Sequence, residues 1–155
     1  SHKEDLRPTI SYESILNMPV NFDPIKHKRG YREDIEPRIT KQDEYGKATL
    51  EIREVDRIEI ELGKGVSTGY IVVGDQLRPL PIGSTLDRAK GIFYWQPGPG
   101  FIGEYDLVFI KQDEFGMQKR INVKIRVRPK FGGNHIDLFK DAKAKGEVSD
   151  SDVPS

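Results

Sequence analysis

A glycine-rich segment is the most suggestive chemical motif in the chain. It runs from Gly98 to Gly103 and has the GxGxxG spacing of dinucleotide-binding loops, directly after a strand-like segment. Such a loop binds pyrophosphate when a helix begins there, because the free amides of the helix N-terminus supply the hydrogen bonds. Here a second strand-like segment follows, and Pro99 has no N–H to donate. We therefore predict a tight loop between strands, with glycine at positive φ, and no nucleotide site.

The side chains that most often act as nucleophiles, bases or metal ligands are scattered along the chain. The chain has no Cys, so it has no thiolate metal site, cysteine nucleophile or disulfide. His27 and His135 lack a second ligand at metal-binding spacing, and we interpret both as surface or linker histidines. Ser67 and Ser84 have no nucleophile elbow around them. We therefore predict no catalytic residues, no cofactor and no metal, and expect that the chain is not an enzyme.

The charge balance bears on the partners of the protein. The formal net charge is zero, from 25 basic and 25 acidic residues. A nucleic-acid-binding protein normally carries a basic excess that displaces phosphate counterions, so we predict no nucleic-acid partner. The basic residues 26–29 could contact a phosphate or an acidic glycan, but the acidic residues within 33–36 oppose their field. No apolar run approaches a membrane span, which predicts no direct membrane insertion.

The elements around these residues have the pattern of strands. Apolar and polar residues alternate from Ile121 to Arg128, which is the period of a strand with one buried face. The same alternation precedes the turn at Asp113–Gly116, and short connections rich in Gly, Pro and Asp predict antiparallel pairing. The predicted core consists of Phe93, Trp95, Tyr105, Leu107, Phe109, Ile121, Val123 and Ile125.

The remaining segments are less regular. Prolines interrupt residues 1–19, which predicts an extended lead-in followed by a short strand near Val20–Phe22. Between Ala48 and Leu62 the apolar phase slips at Glu54 and again at residues 56–57, which predicts a bulge or break between two short strands. These patterns predict an extended lead-in or remnant of a preceding repeat at 1–47, a sandwich domain at 48–131, and a polar linker at 132–155.

One hexapeptide is nearly repeated. Lys41–Gly46 reads KQDEYG and Lys111–Gly116 reads KQDEFG, each followed by an alternating strand. One interpretation is a tandem array in which the first copy ends a preceding repeat. The other interpretation is that two turns of one domain use the same turn residues. The second is favoured because no counterpart of Trp95–Pro97 precedes Lys41.

The segment from Leu80 to Val127 carries a family-like pattern, "LPxGxxLDxxxGxFxWxP" followed by spaced Gly, Tyr, Asp and Gly residues and an alternating strand. Its residues are Leu80, Pro81, Gly83, Leu86, Asp87, Gly91, Phe93, Trp95, Pro97, Gly103, Tyr105, Asp113 and Gly116. This pattern resembles the Ig-like domains of bacterial surface proteins, which are relatives of cadherin-like and dystroglycan-type β-sandwich repeats. The resemblance implies an all-β antiparallel sandwich with flexible N- and C-terminal segments. It also implies a location outside the cytoplasm, at the cell surface or in the periplasm.

Calcium is a further question because cadherin-like relatives often bind it between repeats through several carboxylates. Leu86-Asp87-Arg88 resembles the start of the cadherin LDRE signature, but Ala89 occupies the Glu position. At the end of the last strand, where cadherin repeats carry acidic calcium ligands, residues 126–130 are basic instead. We therefore predict no stable calcium site, with Asp87 or Asp113 contributing at most to a weak one.

Two classes of function agree with these observations. The favoured one is a non-enzymatic module that acts as a spacer or an adhesion and protein-interaction domain. The alternative is a carbohydrate-binding module, in which Tyr70, Tyr94 or Trp95 stacks on sugar rings, or an accessory domain of a larger secreted enzyme. Most aromatic residues fall on the buried phase of their strands, which favours the first class. Tyr70 and Tyr94 are the candidate ligand contacts.

Overall fold

A computed structural model describes residues 10–31 and 34–130. Within these ranges the chain forms one short helix and ten strands. The strands make two five-stranded sheets, and the inner faces of the two sheets share one hydrophobic core. The predicted all-β sandwich is confirmed. Residues 1–9 of the predicted N-terminal segment, the polar linker at 132–155 and His135 lie outside the described residues.

The helix α1 spans Tyr12–Leu16 and the strands are numbered in chain order. The first sheet, called the β4 sheet, contains in spatial order β2 (Arg38–Thr40), β1 (Ile25–Arg29), β4 (Ile58–Glu61), β8 (Ile92–Trp95) and β7 (Ser84–Asp87). The second, called the β9 sheet, contains β3 (Lys47–Arg53), β10 (Gln118–Arg128), β9 (Gly103–Gln112), β5 (Val66–Val73) and β6 (Gln76–Arg78).

Two features of the pairing differ from the sequence-based expectation. The strands β3 and β10 are parallel, in register from Lys47 opposite Asn122 to Arg53 opposite Arg128, so the β9 sheet is mixed rather than purely antiparallel. The strand β1 pairs with both β2 and β4, so residues assigned to the lead-in before residue 48 supply two strands of the sandwich. These strands are short and basic, so the alternation of apolar and polar residues covers too few positions to be recognised in the sequence.

The break predicted between Ala48 and Leu62 is the crossing from one sheet to the other. Strand β3 ends at Arg53 and β4 begins at Ile58 in the opposite sheet. Between them, Val55 adopts a positive φ of 61°. Its N–H donates to the Pro97 carbonyl at 2.9 Å, and its carbonyl accepts from Nε2 of Gln96 at 2.9 Å. Two hydrogen bonds to the β8–β9 connection thus hold a conformation that a β-branched residue rarely adopts.

A helix lies within the segment for which an extended lead-in was predicted. The Oγ atom of Ser11 accepts from the amide of Ser14 at 3.1 Å, which caps the helix α1. Ile15 of this helix is buried with Val108 and Ile110 on the outer face of the β9 sheet. The expectation was wrong here because five residues are too few to show a helical period. As a result, β9 is buried on both faces in its second half.

The core between the sheets contains the predicted side chains. Tyr105 is partly buried, and the fully buried members of the predicted set are Phe93, Trp95, Leu107, Phe109, Ile121, Val123 and Ile125. Residues from β1, β3 and β4 complete the core, among them Ile25, Leu50, Ile52, Ile58 and Ile60. The Trp95 ring packs edge-on against Tyr105 at 5.2 Å and Phe101 at 6.4 Å between centroids.

The repeated hexapeptide forms two turns of the same sandwich. In each turn, one carboxylate oxygen, from Asp43 or Asp113, accepts hydrogen bonds from the amides two and four residues later. Each turn then closes through a glycine at positive φ, 82° at Gly46 and 84° at Gly116. The first turn joins β2 to β3 and the second joins β9 to β10, so the repeat reflects shared turn chemistry.

Candidate functional site

Tyr94 lies on the outer face of the β4 sheet and lines an open pocket of about 540 Å³, called the Tyr94 pocket. Tyr94 is directly opposite Glu59 on β4 and Thr85 on β7, so the three side chains share one face. The pocket is lined by Tyr31, Arg57, Glu59, Gly83, Thr85, Lys90, Tyr94, Trp95 and Gln96. Of this lining the sequence indicated only the neighbouring residues Tyr94 and Trp95 as candidate contacts, because most of the other lining residues come from separate segments of the chain.

Arg57 is the best-fixed side chain of the Tyr94 pocket. Its guanidinium carbon lies 4.4 Å from the ring centre of Tyr31 and 4.8 Å from that of Tyr94. Its Nη1 atom donates to the Gly30 carbonyl at 2.9 Å and to Oε1 of Glu59 at 2.8 Å. Cation–π contacts of this kind are worth about 0.5–2 kcal/mol each. Arg57 therefore joins the start of the β1–β2 connection to the outer face of the sheet.

The Tyr94 pocket carries more cations than carboxylates. Glu59 forms ion pairs with Arg57 at 2.8 Å and with Lys28 at 3.3 Å, and Lys90 adds a further cation to the rim. The hydroxyl of Tyr31 donates to Oε1 of Gln96 across the pocket. Planar polar groups beside aromatic rings are suited to contact with a polar ligand or a protein surface. The described lining contains no His, Cys or Ser.

Tyr70, the other candidate ligand contact, lies on the opposite side of the sandwich. It is opposite Val108 on the outer face of the β9 sheet and packs, partly buried, against the cluster under the helix α1. Trp95 is only 1% exposed and lies between the two sheets. The structure therefore does not bring Tyr70, Tyr94 and Trp95 together on one surface.

The glycine-rich motif forms the connection between β8 and β9. Gly100 has a φ of 89° and Gly103 has a φ of 143°, and Gly103 begins the strand β9. The amide of Phe101 donates to the Gly98 carbonyl at 3.3 Å, which closes the loop on itself. The prediction of a tight inter-strand loop with glycine at positive φ is confirmed.

The two carboxylates considered for calcium are used in turns. One Asp87 oxygen accepts from the amide of Lys90 at 3.0 Å, and one Asp113 oxygen accepts from the amides of Phe115 and Met117 at 2.9 Å. Among residues 10–31 and 34–130, no three side chains of His, Cys, Asp or Glu are grouped as a metal site would require. Within the same ranges, no helix is long and apolar enough to cross a membrane.

His27 is buried, which corrects the expectation of a surface histidine. It points inward from β1, and its Nε2 atom shares a hydrogen bond with Oγ1 of Thr40 at 2.8 Å. The charged neighbours Lys26, Lys28 and Arg29 concealed the inward phase of this short strand. Burial lowers the pKa of His27 below its usual value, and repulsion from Arg29 and Arg38 lowers it further.

The lowered pKa of His27 predicts a loss of stability in mild acid. Below about pH 6.5 the unfolded chain binds a proton at this histidine that the folded chain does not bind until lower pH. The free energy of unfolding should therefore fall as pH decreases from about 6.5 through the folded-state pKa. Replacing His27 with Gln, which keeps a hydrogen-bonding group near Thr40, should make this decrease smaller. Urea unfolding at pH 7.5 and pH 5.5 measures the difference, and an equal decrease in both proteins would contradict the assignment.

No family model matches the sequence, and no curated protein matches it. The fold and the site define a β-sandwich domain with a polar, aromatic-lined pocket on the outer face of one sheet.

Proposed function

We propose that this chain is a non-enzymatic Ig-like module of an exported or surface bacterial protein, acting as a spacer and protein-interaction domain. The observation that carries the proposal is the direction of the first and last strands. In a spacer domain the chain enters at one end and leaves at the opposite end, so that successive domains are held apart. If the chain entered and left at the same end, neighbouring domains of a multidomain protein would lie side by side.

The directions of β1 and β10 follow from the pairing. Strand β1 is antiparallel to β4, and β4 follows β3 after the reversal at residues 54–57. Strand β3 is parallel to β10, so β1 and β10 run in the same direction through the two stacked sheets. Strand β1 therefore begins at one end of the sandwich, called the entry end, and β10 finishes at the other. The eleven residues of β10 span about 36 Å between the two ends.

The same arrangement suits the module to carry tension. Force applied through the two chain ends acts along β10, which is paired with β9 on one side and with β3 on the other. The backbone hydrogen bonds of β10 to β3 and to β9 must break at the same time before β10 can slide out of the sheet, so all of them resist the applied force together. Strands that are pulled apart from one end instead lose their hydrogen bonds one after another.

Exposed apolar side chains at the loop tips support a role in contact with other domains. Tyr45 and Phe115 occupy equivalent positions in the two repeated turns, which lie at the entry end, and both are largely exposed. Ile82 and Ile102 are exposed in connections at the opposite end. Apolar residues presented on rigid turns suit contact with a neighbouring protein surface.

The carbohydrate-binding alternative has less support from the geometry. Binding modules for polysaccharides usually present several aromatic rings on one surface, whereas here Tyr70 and Tyr94 lie on opposite outer faces and Trp95 is buried between the sheets. One face of the Tyr94 ring is covered by Arg57. Tyr94 thus offers at most a single ring face with polar neighbours.

Single-molecule pulling tests the spacer proposal. The chain is attached through its two terminal segments, and we expect one cooperative rupture with a contour-length gain of about 350 Å, from about 110 residues in the sandwich. The control attaches the chain through Asp23→Cys and Glu114→Cys, two exposed positions at the entry end, and this geometry should unzip the sheet at a clearly lower force. Equal forces in the two geometries would contradict the proposal. Glycan-array binding that Tyr94→Ala abolishes would instead favour the carbohydrate-binding alternative.

A further inference from the structure

A groove of about 430 Å³ lies between the helix α1 and the outer face of the β9 sheet. Its lining includes the apolar side chains of Leu16 and Val72 and the rings of Tyr12 and Tyr45. Strands β3, β9 and β10 contribute polar side chains to it, namely Lys47, Asp106, Arg120 and Asn122. A cleft with apolar side chains and a few convergent polar groups has the composition of a small-ligand site.

Arg120 is the unusual residue of this groove. Its Nε atom is shielded from solvent and has no hydrogen-bond partner, a state that Nε of Arg126 shares. Arg126 nevertheless forms an ion pair with Glu104, whereas no described residue forms an ion pair with Arg120. Its backbone, in contrast, is fully used, because its N–H donates to the Pro19 carbonyl at 2.9 Å and its carbonyl accepts from Asn21 at 2.8 Å. The N-terminal segment therefore fixes the backbone from which this side chain enters the groove.

Neighbouring cations on the same face of the β9 sheet have carboxylate partners in the structure. Lys47 lies 3.1 Å from Asp106, Lys124 lies 3.6 Å from Glu104, and Arg126 lies 2.8 Å from the other oxygen of Glu104. Arginine is always charged, and a shielded guanidinium N–H without an acceptor is costly. Within the groove, two cations face one carboxylate, which leaves one positive charge at Arg120.

From this geometry we infer that the groove binds a carboxylate carried on an apolar body. The carboxylate accepts two hydrogen bonds from the terminal Nη groups of Arg120, in the forked geometry that arginine forms best, and Asn122, two residues along the same face of β10, also lines the groove. The apolar body lies along Leu16, Tyr12 and Val72. Either a free alkanoic acid or the C-terminus of an apolar peptide has this chemistry. The site lies on the opposite side of the sandwich from the Tyr94 pocket and does not depend on the spacer function.

Titrations of the intact chain with two carboxylates test the inference. The probes are octanoate and the peptide acetyl-Ala-Ala-Phe, each compared with its uncharged amide, and the readout is the Nε–H NMR signal of Arg120 together with binding calorimetry. We expect at least one carboxylate to bind and to shift this signal, and its amide to bind about tenfold more weakly or not at all. Binding of octanoate alone identifies a free acid as the ligand class, and binding of the peptide alone identifies a C-terminus.

The matched variants are Arg120→Met, which keeps the length of the side chain without its charge, and Lys124→Met on the same face of β10 outside the groove. Arg120→Met should weaken carboxylate binding by about tenfold or more, while Lys124→Met should leave it unchanged. Thermal unfolding shows whether each variant is folded, and Arg120→Lys provides a second folded variant with the charge retained and the bidentate geometry lost. The inference is overturned if neither acid binds, if acid and amide bind equally, or if Arg120→Met binds as the original chain does.

Discussion

Replacing Trp95 with Ala is expected to lower the free energy of unfolding by about 3–5 kcal/mol. The Trp95 side chain is 1% exposed and packs against Phe101 and Tyr105. Its indole N–H also donates to the carbonyl of Ile82 at 3.2 Å, which anchors the β6–β7 connection over the core. Alanine would leave a large cavity and an unpaired carbonyl. A loss of this size is a large part of the stability of a typical domain.

The matched control for Trp95 is Tyr94→Ala, one residue earlier on the same strand and facing outward. This variant loses the contact with Arg57 but creates no cavity between the sheets, so its effect should be about 1 kcal/mol. Urea unfolding followed by circular dichroism measures both variants, since the only Trp is itself replaced in one of them. Equal losses in the two variants, or an unchanged midpoint for Trp95→Ala, would refute the central role of Trp95 in the core. If Trp95→Ala does not fold, Trp95→Phe should give a smaller loss of the same sign.

Replacing Gly91 with Ala is expected to destabilise the sandwich by about 4 kcal/mol or more. A Cβ atom at this position would lie 2.1 Å from the Gly63 carbonyl oxygen and 2.4 Å from the Gly63 carbonyl carbon. The same backbone contact holds two connections together, because the amides of Leu62 and Gly63 donate to the Gly91 carbonyl at 2.7 and 3.0 Å. The added methyl group must therefore separate the β4–β5 and β7–β8 connections or break these hydrogen bonds.

Gly74→Ala separates this steric effect from backbone strain. Gly74 has a φ of 63°, close to the 68° of Gly91, but nothing lies within 4 Å of the position of its Cβ. Its replacement should cost about 1–2 kcal/mol, the usual penalty for a side chain in the left-handed region. Melting temperatures of the two variants under one condition give the comparison. Similar losses would show that the approach of Gly91 to Gly63 is not important for stability.

Local periodicity predicted the second half of the fold well. Strands β8 and β10 alternate clearly because each buries one face between the sheets, and the turn that leads into β10 contains the Asp and Gly residues that such turns require. The inward positions of Phe93 and Trp95 followed directly from this alternation. The two repeated turns have the same hydrogen bonds because their sequences are nearly identical.

Periodicity failed where burial depends on distant segments. Val108 and Ile110 occupy outward positions of β9, and they are buried only because the helix α1 covers them. Strand β1 is short and mostly basic, so its inward residue His27 was mistaken for a surface residue. The alternation of apolar and polar residues in a strand indicates which of its faces is buried, but it does not identify the other segment that covers that face.

The sequence by itself determined a β-sandwich with a core around Trp95, because alternation and turn chemistry are local properties of consecutive residues. The tertiary structure alone decided which strands are neighbours, since the parallel pair of β3 and β10 joins residues about 75 positions apart in the chain. It also decided the candidate sites. Arg57 meets Tyr94, and Arg120 lies beneath the helix α1, only because separate segments cross at those points. Contacts between residues far apart in the chain leave no periodic pattern in the local sequence, so they are seen only in the packed sheets.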